Sequence, residues 1–80
     1  MIDQIITYIV NTHLEEGANI SKDTELISSG LIDSINTLKL VDFIEETFDI
    51  ELEAYEVNRD NLNTPSLIEA LILRKKEKVV

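Results

Sequence analysis

The sequence predicts an all-α fold: a small four-helix bundle of three longer helices and one short one, with a long first loop. Three observations lead there. Apolar residues recur at steps of three and four in separate stretches, and no stretch alternates convincingly. The chain has 80 residues, enough for one domain, 1–80, with one thin core. Turn-forming residues separate the periodic stretches, as short connections in a bundle require.

The first helix rests on Ile2, Ile5, Ile6, Ile9 and Val10, which share one face; Leu14 extends that face by a turn. Asp3 suits the positive end of the helix dipole, and Gly17 offers a C-terminal stop. Residues 18–33 break the pattern. Ser21, Lys22, Asp23, Thr24, Ser28, Ser29 and Gly30 have loop character, while Ile20, Leu26, Ile27, Leu31 and Ile32 can pin the loop to the core. A loop this long in a compact domain is often functional.

The second helix begins at Asp33 or Ser34 and runs to about Phe48. Leu38, Val41, Ile44 and Phe48 form its core stripe, with Leu40 flanking; Ile35 and Phe43 lie off centre, so one of them is expected in solvent. Residues 49–63 read as loop plus a short helical turn within 53–61, anchored by Tyr55, Val57 and Leu62. The last helix starts at Thr64 as cap and Pro65 in the first turn, and buries Leu67, Ile68, Leu71 and Ile72. Arg74, Lys75 and Lys76 complement its negative end, and the basic tail 74–80 is expected to fray.

Composition narrows function. There is no cysteine, which excludes disulfides, thiolate metal sites and a cysteine nucleophile. The net charge of −9 repels nucleic-acid phosphate and steers basic protein partners instead. The stretch MIDQIITYIV carries Asp3 and lacks a basic flank, so it does not read as a signal peptide. No apolar run approaches the ~20 residues that span a bilayer, so membrane insertion is not expected and the default location is cytoplasmic. The acids of 49–60 lack the spacing of an EF-hand, and no metal site is expected. His13 has no ligand companion and reads as a surface residue; Tyr8 and Tyr55 read as partly buried packing. With one histidine and no base placed beside a nucleophile, the chain is not expected to be an enzyme.

Residues 26–35, LISSGLIDSI, stand out. They place Asp33 and Ser34 at the mouth of the second helix, near the positive end of its dipole, where a phosphodiester would be favourably placed. Asp-Ser before an apolar stripe is also an ordinary helix cap, so the pair alone assigns no function.

The surrounding residues resemble the acyl and peptidyl carrier protein family. In that family a Gly-x-x-Asp-Ser-Leu-type motif opens the second helix. Gly30, Asp33 and Ser34 match it, Ile35 stands where Leu or Met is usual, and Leu26 occupies an apolar position upstream. The likeness runs over nearly the whole chain. Ser29 to Ser34, the Phe-Asp-Ile-Glu segment at 48–51, the Asn-Arg-Asp segment at 58–60 and Asn-Thr-Pro at 63–65 look like the D-alanyl carrier subgroup. Lys39 and Asp42 depart from the usual acidic or neutral and apolar character of their positions.

The resemblance implies an acyl-carrier-type bundle that carries rather than catalyses. Ser34 would hold 4'-phosphopantetheine, joined from coenzyme A by a phosphopantetheinyl transferase. Asp33 would help place the transferase's metal and the incoming phosphate. The arm would hold an acyl or aminoacyl group as a thioester. An acyl- or aminoacyl-activating ligase would load it, and a downstream acyl transferase or synthase would receive the cargo. Leu31, Ile35, Leu38, Asp42, Glu45 and Glu46 are the docking candidates, on a monomer. The alternative is an unmodified acidic helical adaptor that docks a basic partner with the same helix.

Overall fold

A computed structural model describes residues 1–15 and 17–77. Four α-helices follow in order: α1, Ile2–His13; α2, Ser34–Phe48; α3, Arg59–Leu62; and α4, Pro65–Glu77. A 3₁₀ turn, Ala54–Glu56, lies between α2 and α3. The described residues contain no strand. The fold is the small all-helical bundle that the periodicity predicts, of the kind the resemblance implies.

One core joins all the long elements. Ile5 and Ile9 of α1, Leu26 and Ile32 of the first loop, Leu40, Val41, Ile44 and Phe48 of α2, Leu62 of α3, and Ile68, Leu71 and Ile72 of α4 are buried together. α4 packs on both α1 and α3. Tyr8 stacks on Phe43 with ring centroids 3.9 Å apart, and its hydroxyl donates to the Lys39 carbonyl at 3.1 Å. This ties α1 to the outer flank of α2.

Several expectations are corrected. Leu38 is 61% exposed, whereas Leu40 is fully buried. At about 100° per residue, Leu38 lies roughly 120° from Ile44 around the helix and Leu40 roughly 40°. The stripe therefore centres on Leu40, Val41, Ile44 and Phe48. Ile35 falls opposite that stripe and is exposed, while Phe43 is half-buried. In α4 Leu67 is exposed too, at the edge of the stripe formed by Ile68, Leu71 and Ile72.

Gly17 does not end α1. The helix stops at His13, and Leu14 is already extended at φ −118°, packing against the core. Gly17, at φ +87°, instead serves a turn in which the Ala18 N–H donates to the Glu15 carbonyl at 3.0 Å. Tyr55 is not an anchor. It is 76% exposed on the 3₁₀ turn, and Leu52 and Val57 on either side of the turn pack against the core instead.

The start of α4 is as expected. Thr64 Oγ1 accepts from the Leu67 N–H at 3.1 Å, and Pro65 opens the helix. Arg74 donates to Asn61 Oδ1 at 3.0 Å, and Lys75 pairs with Glu56 at 2.8 Å. Through Glu77 the basic segment is helix tied to the preceding turn; the remainder of the tail expected to fray, 78–80, lies outside the described residues.

Candidate functional site

The long first loop is pinned chiefly by Asn63, in the link between α3 and α4. The Asn63 carbonyl accepts from the Leu26 N–H at 2.6 Å. Its side-chain Oδ1 accepts from both the Ile27 and Ser28 N–H groups, at 3.0 and 2.9 Å. One residue thus satisfies three consecutive loop donors. The Ser66 N–H adds a fourth tie, to the Lys22 carbonyl at 3.0 Å. Leu26 and Ile32 are buried on either side of the exposed loop tip, and the Ile32 N–H donates to the Leu26 carbonyl at 2.9 Å. The chain therefore closes on itself just before α2.

Within that closure Ser29 Oγ donates to the Glu25 carbonyl and accepts from the Leu31 N–H at 3.3 Å. Gly30 follows at φ +82°, a left-handed conformation that disfavours any side chain, although a Cβ there would meet open space. The requirement for glycine is conformational. It turns the chain so that Ile32 goes inward and Asp33 and Ser34 emerge at the surface.

Asp33 caps α2. Its Oδ1 accepts from the Asn36 N–H at 2.8 Å, and its carbonyl accepts from the Thr37 N–H and hydroxyl at 2.8 and 2.7 Å. The other carboxylate oxygen has no partner among the described residues. Ser34 is the first residue of this 15-residue helix, exposed, with a hydroxyl that bonds to none of the described residues. A capping aspartate and an uncommitted serine hydroxyl thus stand side by side at the positive end of a long helix dipole.

The expected docking residues do not form one patch. Ile35, Asp42 and Glu46 face solvent on the side of α2 opposite its buried stripe. Asp42 and Glu46 also line a shallow cleft with Tyr8, Lys39, Phe43 and Thr47. Burial, and then the Asp42 charge, push the Tyr8 hydroxyl above its ordinary value. Leu38 stands on the other flank, beside Ser34. Leu31 is exposed at the loop tip and lines a cleft that includes His13, Ile20 and Gly30. Glu45 serves the fold: its Oε2 accepts from the Leu52 N–H at 2.9 Å, fixing the chain that returns from α2. That contact accounts for an acid near a helix end where negative charge is otherwise unfavourable.

His13 is not the plain surface residue expected. It is half-buried against Tyr8, and its Nε2 is buried without a partner. Burial, followed by the positive charge of Lys39, holds it below the usual histidine range, with Asp33 pulling the other way. The described residues contain no group of three or more His, Cys, Asp or Glu side chains able to hold a metal. None of their helices is long and apolar enough to cross a membrane.

Comparison with known proteins decides the family. A D-alanyl carrier protein of Leuconostoc citreum (strain KM20) is 32% identical over 71 residues, covering 89% of this chain and 91% of the relative. The chain belongs to the family of the D-alanyl carrier proteins. A second family member, from Leuconostoc mesenteroides subsp. mesenteroides, is 34% identical over 67 residues, 84% of this chain and 86% of its own length. A third, from Lactobacillus delbrueckii subsp. bulgaricus, reaches 46% over 44 residues, 55% of each chain. No family model matches the sequence, and no solved structure matches it. Membership makes this chain a carrier protein.

Asn63 is the residue that sequence reasoning misses. In the sequence it stands out only as part of Asn-Thr-Pro, ahead of the α4 cap. Its signal is weak but present: an amide next to a helix cap, in a chain with a long loop whose donors need acceptors.

Proposed function

We propose that Ser34 carries a 4'-phosphopantetheine arm on which this protein presents an aminoacyl group to partner enzymes. The observation that carries the proposal is the exposed, uncommitted Ser34 hydroxyl at the first position of a capped helix. The site fits such a group. A phosphodiester on Ser34 lies at the positive end of α2, and its neighbours leave the oxygen open to attack on phosphorus. When bound, the arm supplies a terminal thiol that holds cargo as a thioester.

This chain's residues do the placing. Gly30, Ile32 and Asn63 hold the loop so that Ser34 is presented outward. Asp33 caps the helix with one oxygen and keeps the other for the metal or phosphate of a phosphopantetheinyl transferase. Ile35 and Leu38 give short-range contact, and Asp42 and Glu46 steer basic partners by field. The partners are that transferase, an activating ligase and a downstream acyl transferase. Tethering raises the effective concentration of cargo at each of them without new contacts. The relatives are named for D-alanine, which makes it the first cargo to try. The chemistry of the cargo step belongs to the partners, and the work is that of a cytoplasmic carrier rather than an enzyme.

The test is loading. Protein treated with coenzyme A and transferase, then with an aminoacyl-activating ligase, ATP and D-alanine, should gain an aminoacyl group that hydroxylamine removes. Label that persists in Ser34→Ala, or that resists hydroxylamine, would rule the reading out.

A further inference from the structure

The end of α1 borders a cleft of about 460 Å³ shared with the first loop. His13 and Leu14 line it from the helix end, and Ala18, Ile20, Gly30 and Leu31 line it from the loop. His13 closes α1, its ring edge-on to Tyr8 with centroids 5.3 Å apart. Tyr8 in turn stacks on Phe43 and donates to the Lys39 carbonyl of α2. One imidazole therefore touches the tie between α1 and α2 and also borders the loop that leads to Ser34. Its Nε2 is the one buried side-chain nitrogen or oxygen among the described residues that has no hydrogen-bond partner.

We propose that His13 is a pH-operated latch on the first loop: the neutral ring stays in its slot beside Tyr8, and the protonated ring leaves it and frees the loop that presents Ser34. The part that concerns Ser34 rests on the attachment proposed above. The two states follow from the chemistry of the ring. A neutral imidazole carries one N–H, and Nε2 can be the bare nitrogen. A protonated ring carries a proton on both nitrogens, so a charged N–H would be sealed away from any acceptor. Sealing a charged group costs more than sealing a neutral one. Once out, the charged ring stands in water at the C-terminal end of α1, where the helix dipole favours a cation. The titratable and charged groups around the ring are Tyr8 on the same helix, Glu15 just beyond it, and Asp33 and Lys39 from the cap and body of α2. Burial is the largest influence on the ring; Lys39 also opposes the proton, and Asp33 favours it.

The inward ring is fully favoured above the ordinary histidine value of about 6.5 and loses ground as pH falls from there to the lower value of the sealed ring. Between those two values, each unit of pH moves the balance toward the outward ring by about tenfold. With the ring out, Gly30 and Leu31 lose a neighbour across the cleft, while the Asn63 bonds still hold Ile27 and Ser28. The loop is loosened at one end and not unfolded. A transferase acting on Ser34 must then reorder that end, so arm attachment slows in mild acid. His13 is a positioning residue and takes no part in bond-making.

The test uses the wild type, His13→Phe, which keeps an aromatic ring but cannot take up the proton, and His13→Gln, which keeps a polar side chain. The first readout is an NMR titration of the unmodified proteins from about pH 8 to about pH 5, the span in which histidine changes charge. In the wild type the Ala18, Ile20, Gly30 and Leu31 amides should shift with the midpoint of the His13 ring, below the ordinary histidine value, and the ring's contact with Tyr8 should fade in step. Both variants should lack those shifts. The second readout is the rate at which a phosphopantetheinyl transferase adds the arm from coenzyme A. It is taken as the ratio of wild type to His13→Phe at each pH, so that the enzyme's own pH dependence cancels; His13→Gln replaces His13→Phe if the latter does not fold. The ratio should fall several-fold across the same titration. A ring that titrates at or above its ordinary value, loop amides that ignore its titration, or a flat rate ratio overturns the latch. A wild type that accepts no arm at any pH overturns the attachment reading, and the NMR titration still decides whether His13 holds the loop.

Discussion

Replacing Asn63 by alanine deletes one oxygen and strands two loop donors, the Ile27 and Ser28 N–H groups. Each such bond contributes about 0.5–1.5 kcal/mol net. Ser28 is exposed and recovers part of its loss from water; Ile27 is partly buried and recovers less. The expected loss is about 1.5–2 kcal/mol. A domain of this size has a total stability of only about 4–12 kcal/mol, so the loss is a large share of it. It corresponds to a fall in Tm of roughly 6–16 °C. Asn63→Asp keeps an acceptor in place and should lose much less. Thermal melts read the stability, and amide exchange reads the location: Ile27 and Ser28 should exchange faster in Asn63→Ala while the amides of α1 change little. Because the loop sets the presentation of Ser34, transferase modification should slow as well. An Asn63→Ala protein with the wild-type Tm and unchanged exchange at Ile27 and Ser28 would refute the claim that this side chain holds the loop.

Other expectations follow from the same geometry. Asp33→Ala removes the α2 cap and should cost about 1 kcal/mol in urea unfolding, whereas Asp33→Asn keeps the cap and should cost little; slow modification in both would then separate charge from capping. Leu40→Ala should cost about 2–5 kcal/mol, while Leu38→Ser should stay within about 0.5 kcal/mol of wild type; equal losses would return Leu38 to the core. His13 is held below its ordinary value, so the unfolded chain takes up its proton first as pH falls. Its contribution to stability is complete above the ordinary histidine value of about 6.5 and is lost as pH drops from there through the lower folded value. His13→Gln should flatten that part of the stability profile, and an unchanged slope would count against it.

Much of this molecule is legible in its sequence, and the exceptions have physical causes. The helices are visible because Ile5, Ile9, Ile44, Phe48, Ile68, Leu71 and Ile72 repeat with the helical period. Assigning a face is harder where leucine occurs on two sides. Leu38 and Leu40 stand about 160° apart around α2, and only packing against the rest of the core decides which goes inward. Tyr55 misleads for a related reason: aromatic side chains usually bury, but a 3₁₀ turn of three residues has too little periodicity to show its orientation. Gly17 looks like a helix stop because its left-handed conformation suits one, yet the same conformation serves an isolated turn equally well. At the site, Asp33 and Ser34 are readable because capping is local chemistry. Asn63 is not, since it acts on residues far away in sequence and depends on how the α3–α4 link is set against the first loop.

Whether Ser34 is an attachment point is tested most directly by intact mass. Wild-type protein and Ser34→Ala would be incubated with coenzyme A and a promiscuous phosphopantetheinyl transferase. The wild type should gain one phosphopantetheine and Ser34→Ala none. An unchanged wild-type mass, or an equal gain in Ser34→Ala, would contradict the attachment of an arm at this serine.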